Sequence, residues 1–281
     1  MIRKEKNREI VRVNQKNDVI YFTFPIFDQV SQEVLHGFSS RKGGVSSGEF
    51  ESMNFSISRG DTKENVTENY VRMADALGFN PENLVCSDQT HTNHVRVVTE
   101  KDRGKGYCRE KDYQDVDGMV TNVPDLVLAT YYADCVPLFF VDPVHHAIGL
   151  SHSGWRGTVS DIAGETIRVM QQEYGTNPSD VLAAIGPSIC QDCYEVSEDV
   201  IECFRKQYDS ELWPKLYREK ENGKYQLNLW EACRQNMLKA GLCAERIQTT
   251  DLCTCCNPDL LFSHRASKGR RGNLAAFLGM K

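Results

Sequence analysis

No stretch of this chain approaches the ~18 consecutive apolar residues that a membrane-spanning helix needs. The most apolar segment, Leu126 to Leu150, is interrupted by Asp134, Pro137, Asp142, His145 and His146. The first residues, MIRKEKNREIVRVNQKND, are charged, which argues against a secretory signal. Surplus positive charge is also missing. The net charge of −6 favours solubility and gives no support to a nucleic-acid or membrane partner. Histidine is scarce, with seven residues and no His-x-His pair, which is too few for a multicopper centre. With no internal repeat and no low-complexity linker, a single domain over residues 1–281 is expected.

Cysteine, by contrast, is plentiful. Eleven residues is an odd number, and without a secretory signal reduced thiols in a cytoplasmic protein fit better than a disulfide framework. Metal or thiolate chemistry becomes the natural use. Cys190 and Cys193 form a CxxC pair, and Cys253, Cys255 and Cys256 lie close together. These could build a separate structural zinc site, but their spacing is not that of a ribbon or a finger, and free thiols are expected. Lys268, Arg270 and Arg271 form a small basic patch, read as a solvated turn.

Apolar and alternating runs predict strands at Val19–Phe27, Val34–Phe38, Val95–Val98, Leu126–Tyr132, Leu138–Val141, Ala147–Ser151 and Val181–Ile185. Helical spacing covers Lys63–Leu77, with Val66, Tyr70, Ala74 and Leu77 on one face. Further helices are predicted at Val159–Tyr174, at Asp199–Gln207, and from Asn228 to about Gly241. Asn228 is placed to cap the last of these, with Glu231 reaching back. Glu100–Gln114 reads as a long exposed loop. Strands and helices mix without a regular βαβ beat, which predicts an α+β fold with mixed β-sheets layered against helices.

The most informative segment is TYYADCVPLFFVDPVHHAIGLSHSGWRGT, from Thr130 to Thr158. Two apolar runs flank Asp142-Pro143, the mark of an antiparallel hairpin. Pairing Val141 with Ala147 puts residue 136 opposite residue 152, so Cys135 and His152 become neighbours. Cross-strand partners sit roughly 5 Å apart, the range for one shared metal or a thiolate–imidazole pair. A one-residue slip would swing His152 to the other face. A thiolate plus an imidazole suits zinc or copper rather than magnesium or calcium. His91, in Gln89-Thr90-His91, is the best third ligand, with His94, His145 and His146 as competitors. Three protein ligands leave the fourth position of zinc open, as in catalytic sites. The alternative is a buried cysteine beside a satisfied histidine.

A second constellation is HGFSSRKGGVSSGEFESMNFS, from His36 to Ser56. Gly43 and Gly44 let the backbone turn with its N–H groups outward, and Arg41 offers a planar cationic fork. Such a loop suits a phosphate, though it is no P-loop and a plain glycine hairpin reads equally well.

These segments, together with QTHTNHV, DVDGMVTN, AIGPSICQDCYEV and CTCCNPDLLFSHRASKGRRGN, resemble the YfiH family, long described as multicopper polyphenol oxidases or laccases. The likeness runs from His36 almost to Lys281. It implies a mixed-sheet YfiH-like fold and a zinc triad at His91, Cys135 and His152. It also implies phosphorolysis of adenosine, inosine, guanosine and methylthioadenosine to base and ribose 1-phosphate, with deamination of adenosine. Arg41, Gly43 and Gly44 are then the candidates for phosphate and Asn54 for the nucleoside. Asp134 is the candidate orienter beside Cys135. Thr92 stands where the family usually has glycine, and ICQDC replaces a glycine-rich run. Three rival readings remain: a copper-dependent polyphenol oxidase, a hydrolase using Cys135 as nucleophile and His152 as base, and a non-enzymatic partner protein.

Overall fold

Strand Val136–Asp142 is buried along its whole length, so its alternating side chains must enter two different cores. In the computed structural model, which describes residues 1–4 and 9–281, they do. Phe139 and Val141 pack toward a facing sheet, while Leu138 and Phe140 pack against helices. Two six-stranded sheets result. In spatial order the first comprises Arg12–Lys16, Val19–Thr23, Val34–Ser39, Leu274–Met280, Val127–Tyr132 and Leu84–Cys86. The second comprises Ile247–Thr249, Leu182–Ile185, Val136–Asp142, Ala147–Ser153, Gly118–Thr121 and Val95–Val97. Both are mixed, with parallel pairs among the described residues at the Leu84–Cys86, Ile247–Thr249 and Val95–Val97 edges.

Phe22, Phe38, Leu128, Ala276 and Leu278 of the first sheet meet Phe139, Ile148, Leu150 and Leu182 of the second. Helix Lys63–Leu77 covers the outer face of the first sheet with Val66, Tyr70 and Met73. Helices Ile162–Tyr174, Glu198–Gln207 and Leu229–Lys239 cover the second. The order of layers is helix, sheet, sheet, helix. Among the described residues no helix is long and apolar enough to cross a membrane.

Helix Lys63–Leu77 falls where its apolar spacing predicts, capped by Thr62 and ended by Gly78 at φ 81°. The helix expected over Val159–Tyr174 starts at Ile162, after a separate short helix. Trp155–Val159 ends early, Asp161 takes φ 59°, and its carboxylate caps Ile162–Tyr174 by accepting from the Gly164 N–H. Asn228 caps Leu229–Lys239 as expected, but the Glu231 carboxylate accepts from Gln235 instead of reaching back. The expected strand Val19–Phe27 stops at Thr23, because Pro25 lacks an N–H for the ladder and opens the 3-10 turn Pro25–Val30. The Glu100–Gln114 loop is anchored rather than free. Asp102 and Lys105 form a buried ion pair at 2.8 Å, and the Tyr113 hydroxyl donates to the Cys86 carbonyl at 2.6 Å.

The central hairpin carries a correction. Asp142 pairs with Ala147, so Val141 lies opposite Ile148 and Pro137, not Val136, lies opposite His152. The register is one residue from the expected one. The cause is local: the Asp142 carboxylate accepts from the N–H groups of Val144 and His145, and His146 turns through φ 49°. The loop thus closes on residues 143–146.

Candidate active site

The chain crosses between the sheets at two neighbouring places, and the site is built there. Residues 87–94 lead from Leu84–Cys86 of the first sheet to Val95–Val97 of the second. Residues 133–135 lead from Val127–Tyr132 to Val136–Asp142. His91 lies on the first crossing with φ 69°, and Cys135 ends the second, after Asp134 at φ 92°. His152 shares the parity of Ile148 and Leu150, so it points between the sheets, where its ring meets Tyr132 at 5.5 Å. Cys135 reaches His152 despite the shifted register because it lies outside the ladder, on the bend.

One ligand atom from each of His91, Cys135 and His152 lies within 4.8 Å of the others. Cys135 Sγ is 4.0 Å from His91 Nε2, and the two imidazoles cross edge to face at 5.0 Å. His94 is not part of this group: its Nδ1 lies 3.0 Å from the Asp115 carbonyl oxygen. His145 faces Asp142 at 2.9 Å and His146 faces Glu33 at 3.4 Å, both at the far end of the hairpin. Gly154 leaves the room the cluster needs, since a Cβ there would come within 2.8 Å of His91 Cδ2 and 3.2 Å of Cys135 Sγ.

The residue that organises the cluster is Asp117, which the sequence reading left without a role. It is fully buried. Its Oδ1 faces His152 Nδ1 at 2.8 Å and accepts from the His91 N–H at 3.1 Å. Its Oδ2 accepts from the N–H groups of Thr90 and Thr92 and from the Thr92 hydroxyl. His152 Nδ1 is therefore committed and Nε2 is left for a ligand. The available signal was Asp117-Gly118 opening a strand inside DVDGMVTN, but nothing in the sequence ties that aspartate to His152.

Burial opposes charge on both partners here, and the pairing wins. Burial pushes the Cys135 thiol up, but the His152 charge and hydrogen bonds from His152 and His91 draw it down to about 6. Burial likewise pushes His152 down, but the Cys135 thiolate and the Asp117 carboxylate raise it to about 9. In the metal-free pair both shifts favour a thiolate beside an imidazolium.

The cluster opens into a cavity of about 440 Å³, lined also by Phe55, Arg59, Tyr131, Lys111 and Arg271. Arg59 and Arg271 are its arginines. Burial and the Arg59 charge push the Arg271 guanidinium down to about 10, and its Nε is buried without a hydrogen-bond partner among the described residues. Lys268 and Arg270 are exposed, as a solvated turn predicts, but Arg271 is not part of that turn's surface. Arg271 precedes strand Leu274–Met280, and without that strand its inward direction was unreadable.

Four residues expected at the substrate stand elsewhere. Arg41 does not line the cavity. Its Nε donates to the Glu51 carbonyl at 2.7 Å, its Nη1 to the Pro258 carbonyl at 2.9 Å, and its fork lies over the Phe262 ring. Gly43 packs on the Asp18 backbone at φ 88°, and Gly44 packs on the Ser52 carbonyl with its N–H donated to Ser52 Oγ. Asn54 is buried and fully paired, donating to the Ser56 carbonyl and Asp61 while accepting from the N–H groups of Ser56 and Asn273. The Arg41–Asn54 loop is thus a scaffold beneath the cavity wall. Asp134 accepts from the Thr254 hydroxyl at 2.6 Å and from the Arg265 N–H at 2.7 Å. The carboxylate that faces His152 is that of Asp117, and Asp134 instead ties the C-terminal segment to the bend that carries Cys135.

Comparison with known proteins places the chain as a whole. A purine nucleoside phosphorylase YlmD of Bacillus subtilis is 39% identical over 257 residues, 90% of this chain and 91% of that one. An adenosine deaminase RL5 from an unknown prokaryotic organism is 33% identical over 237 residues, 84% of this chain and 90% of that one. The crystal structure of Bacillus licheniformis hypothetical protein YfiH matches with a TM-score of 0.89 at 33% identity, covering 98% of this chain and all of that one. The family model described as multi-copper polyphenol oxidoreductase laccase matches residues 35–281, and the chain belongs to that family, the YfiH family of the sequence resemblance.

Proposed function

We propose that this protein is a zinc-dependent purine nucleoside phosphorylase that also deaminates adenosine. The observation that carries the reading is a two-imidazole, one-thiolate cluster opening into a cavity that presents two arginines. The donor set fits zinc. Zinc–nitrogen bonds of about 2.0–2.1 Å and a zinc–sulfur bond of about 2.3 Å need donors within roughly 4 Å of one another. The donors of His91, Cys135 and His152 all lie within 4.8 Å of one another, one small side-chain adjustment away. His91, Cys135 and His152 would hold the ion with one position open. Bound there, zinc supplies a Lewis acid that lets water act as a nucleophile near neutral pH.

The rest belongs to the chain's own residues. In phosphorolysis a phosphate oxygen bonds to the anomeric carbon as the bond to the purine nitrogen breaks, giving ribose 1-phosphate and free base. Arg271 and Arg59 hold the dianion, and its charge relieves the repulsion between them. Phe55 and Tyr131 supply apolar wall for the nucleoside and limit water at the ribose. Asp117 keeps His152 Nδ1 occupied and its other nitrogen aimed inward. In deamination water replaces the amine of adenosine and ammonia leaves; no phosphate is needed. Adenosine, inosine, guanosine and methylthioadenosine are the proposed substrates, and reduced cysteines throughout suit the cytoplasm.

The test is to incubate zinc-loaded protein with inosine or adenosine, with and without phosphate, and separate the products. Arg271→Ala is expected to raise the phosphate KM by about 10–100-fold, the loss of one charge-assisted hydrogen bond. Deamination should fall much less. Inosine left intact in the presence of phosphate would overturn the function, and equal loss of both activities would overturn the anion role. A second reading has its own observation: Cys135, His152 and Asp117 form a nucleophile–base–carboxylate series. Alkylation of Cys135 that zinc blocks favours the metal reading. Copper found in place of zinc by elemental analysis would favour the older oxidase reading.

A further inference from the structure

Four cysteines outside the active site come together on two adjoining loops. Cys190 and Cys193 follow strand Leu182–Ile185, and Cys253 and Cys256 follow its parallel neighbour Ile247–Thr249. Their sulfurs all lie within 4.8 Å of one another, and Cys193 Sγ is 3.5 Å from Cys256 Sγ. Each loop contributes Cys-x-x-Cys once Cys255 is set aside, a regularity that three clustered cysteines at 253–256 conceal in the sequence. The loops are held in register by the Ser188–Cys253 bridge, with the Thr254 N–H donated to the Ser188 carbonyl. Backbone N–H groups of Cys190 and Cys256 point at Cys253 Sγ at 3.2 and 3.4 Å, the donors a charged sulfur wants.

We propose that Cys190, Cys193, Cys253 and Cys256 hold a second zinc ion in a closed four-thiolate site. Four thiol groups packed at this distance repel one another once ionised, and a soft divalent cation removes that repulsion while filling the gap between them. All four positions are protein sulfur, so no place is left for substrate and the role is structural. The site reaches the catalytic cluster through one residue. The Ile189 N–H donates to the Asp134 carbonyl at 3.0 Å, and Thr254 Oγ1 donates to the Asp134 carboxylate at 2.6 Å. Both loops thereby grip the bend that ends in Cys135. The second ion would fix that bend, along with the segment leading on to Arg271.

Metal analysis of protein made under reducing conditions tests this independently of the proposed activity. The wild type should hold two zinc ions per chain. Cys135→Ala should keep one and Cys193→Ser/Cys256→Ser should lose one. If the double variant fails to fold, cobalt loading of Cys135→Ala decides the question. An intense sulfur-to-cobalt charge-transfer band with tetrahedral d–d bands is expected, since the four cysteines are the metal-binding group that remains among the described residues. A metal-free Cys135→Ala protein, iron in place of zinc, or a Cys193–Cys256 disulfide in the freshly purified protein would each overturn the assignment.

Discussion

The Asp117 carboxylate accepts five hydrogen bonds, three from the backbone N–H groups of Thr90, His91 and Thr92, one from the Thr92 hydroxyl and one from the His152 ring. It sets the positive φ of His91 and the tautomer of His152 together. Asp117→Asn keeps the shape but replaces one acceptor oxygen by an NH2 facing N–H donors. Zinc affinity is expected to fall by about 10–100-fold, read by competition with a chromophoric chelator while circular dichroism stays native. Unchanged affinity would mean that the crossing loop holds itself. At this scale the sequence was legible where chemistry is carried by residue type. His91, Cys135 and His152 stand out because histidine is scarce and a cysteine and a histidine fall close together across one hairpin. Asp117, Arg59 and Arg271 do not, because aspartate and arginine are ordinary surface residues until a fold buries them. Arg41 was misplaced for the converse reason: a cation beside two glycines suits an anion as well as it suits two backbone carbonyls.

On strand Val34–Ser39, facing the turn Pro25–Val30, is His36, whose Nε2 accepts from the Phe24 N–H at 2.9 Å among the rings of Phe24 and Phe27. Burial pushes it down to about 4, so the folded protein keeps it neutral. The unfolded chain protonates it near its ordinary value of about 6.5. Stability is therefore whole above that value and declines as pH falls toward 4, because the unfolded state then binds the extra proton. The loss is at most ~3 kcal/mol. His36→Gln, which can still accept from Phe24, should flatten the change in urea-unfolding free energy between neutral pH and about pH 5. An unaltered slope would place the acid sensitivity elsewhere. Amphipathic helices were readable at this scale because their period marks the buried face, as at Lys63–Leu77. Strand Leu274–Met280 was not, since burial on both faces erases alternation. The hairpin register also escaped, being set by one aspartate's turn hydrogen bonds.

Across the whole molecule, the first sheet is closed by a strand from the far end of the sequence. Leu274–Met280 pairs with Val34–Ser39 on one side and Val127–Tyr132 on the other. A chain ending at Asn273 would leave both partners with open edges and expose Phe38, Leu128 and their neighbours in the inter-sheet core. It is expected to be insoluble, or soluble without a cooperative thermal transition. A cooperative transition close to that of the full chain would show that the second sheet and its helices carry the fold alone. The mixed-sheet architecture was legible from irregular alternation and from family resemblance, whereas the pairing of distant strands was not, because no local pattern encodes it.

That pairing also sets a clock. Synthesis delivers His91, Cys135 and His152 in the first part of translation, yet the strand that locks Val127–Tyr132 beside them arrives more than a hundred residues later. Until then the nascent polypeptide carries reactive thiols and an unfinished sheet edge past chaperones, oxidants and competing metals. On the proposed metal site, loading would follow completion of the chain, and a chain stopped before Leu274 is expected to emerge without its metal.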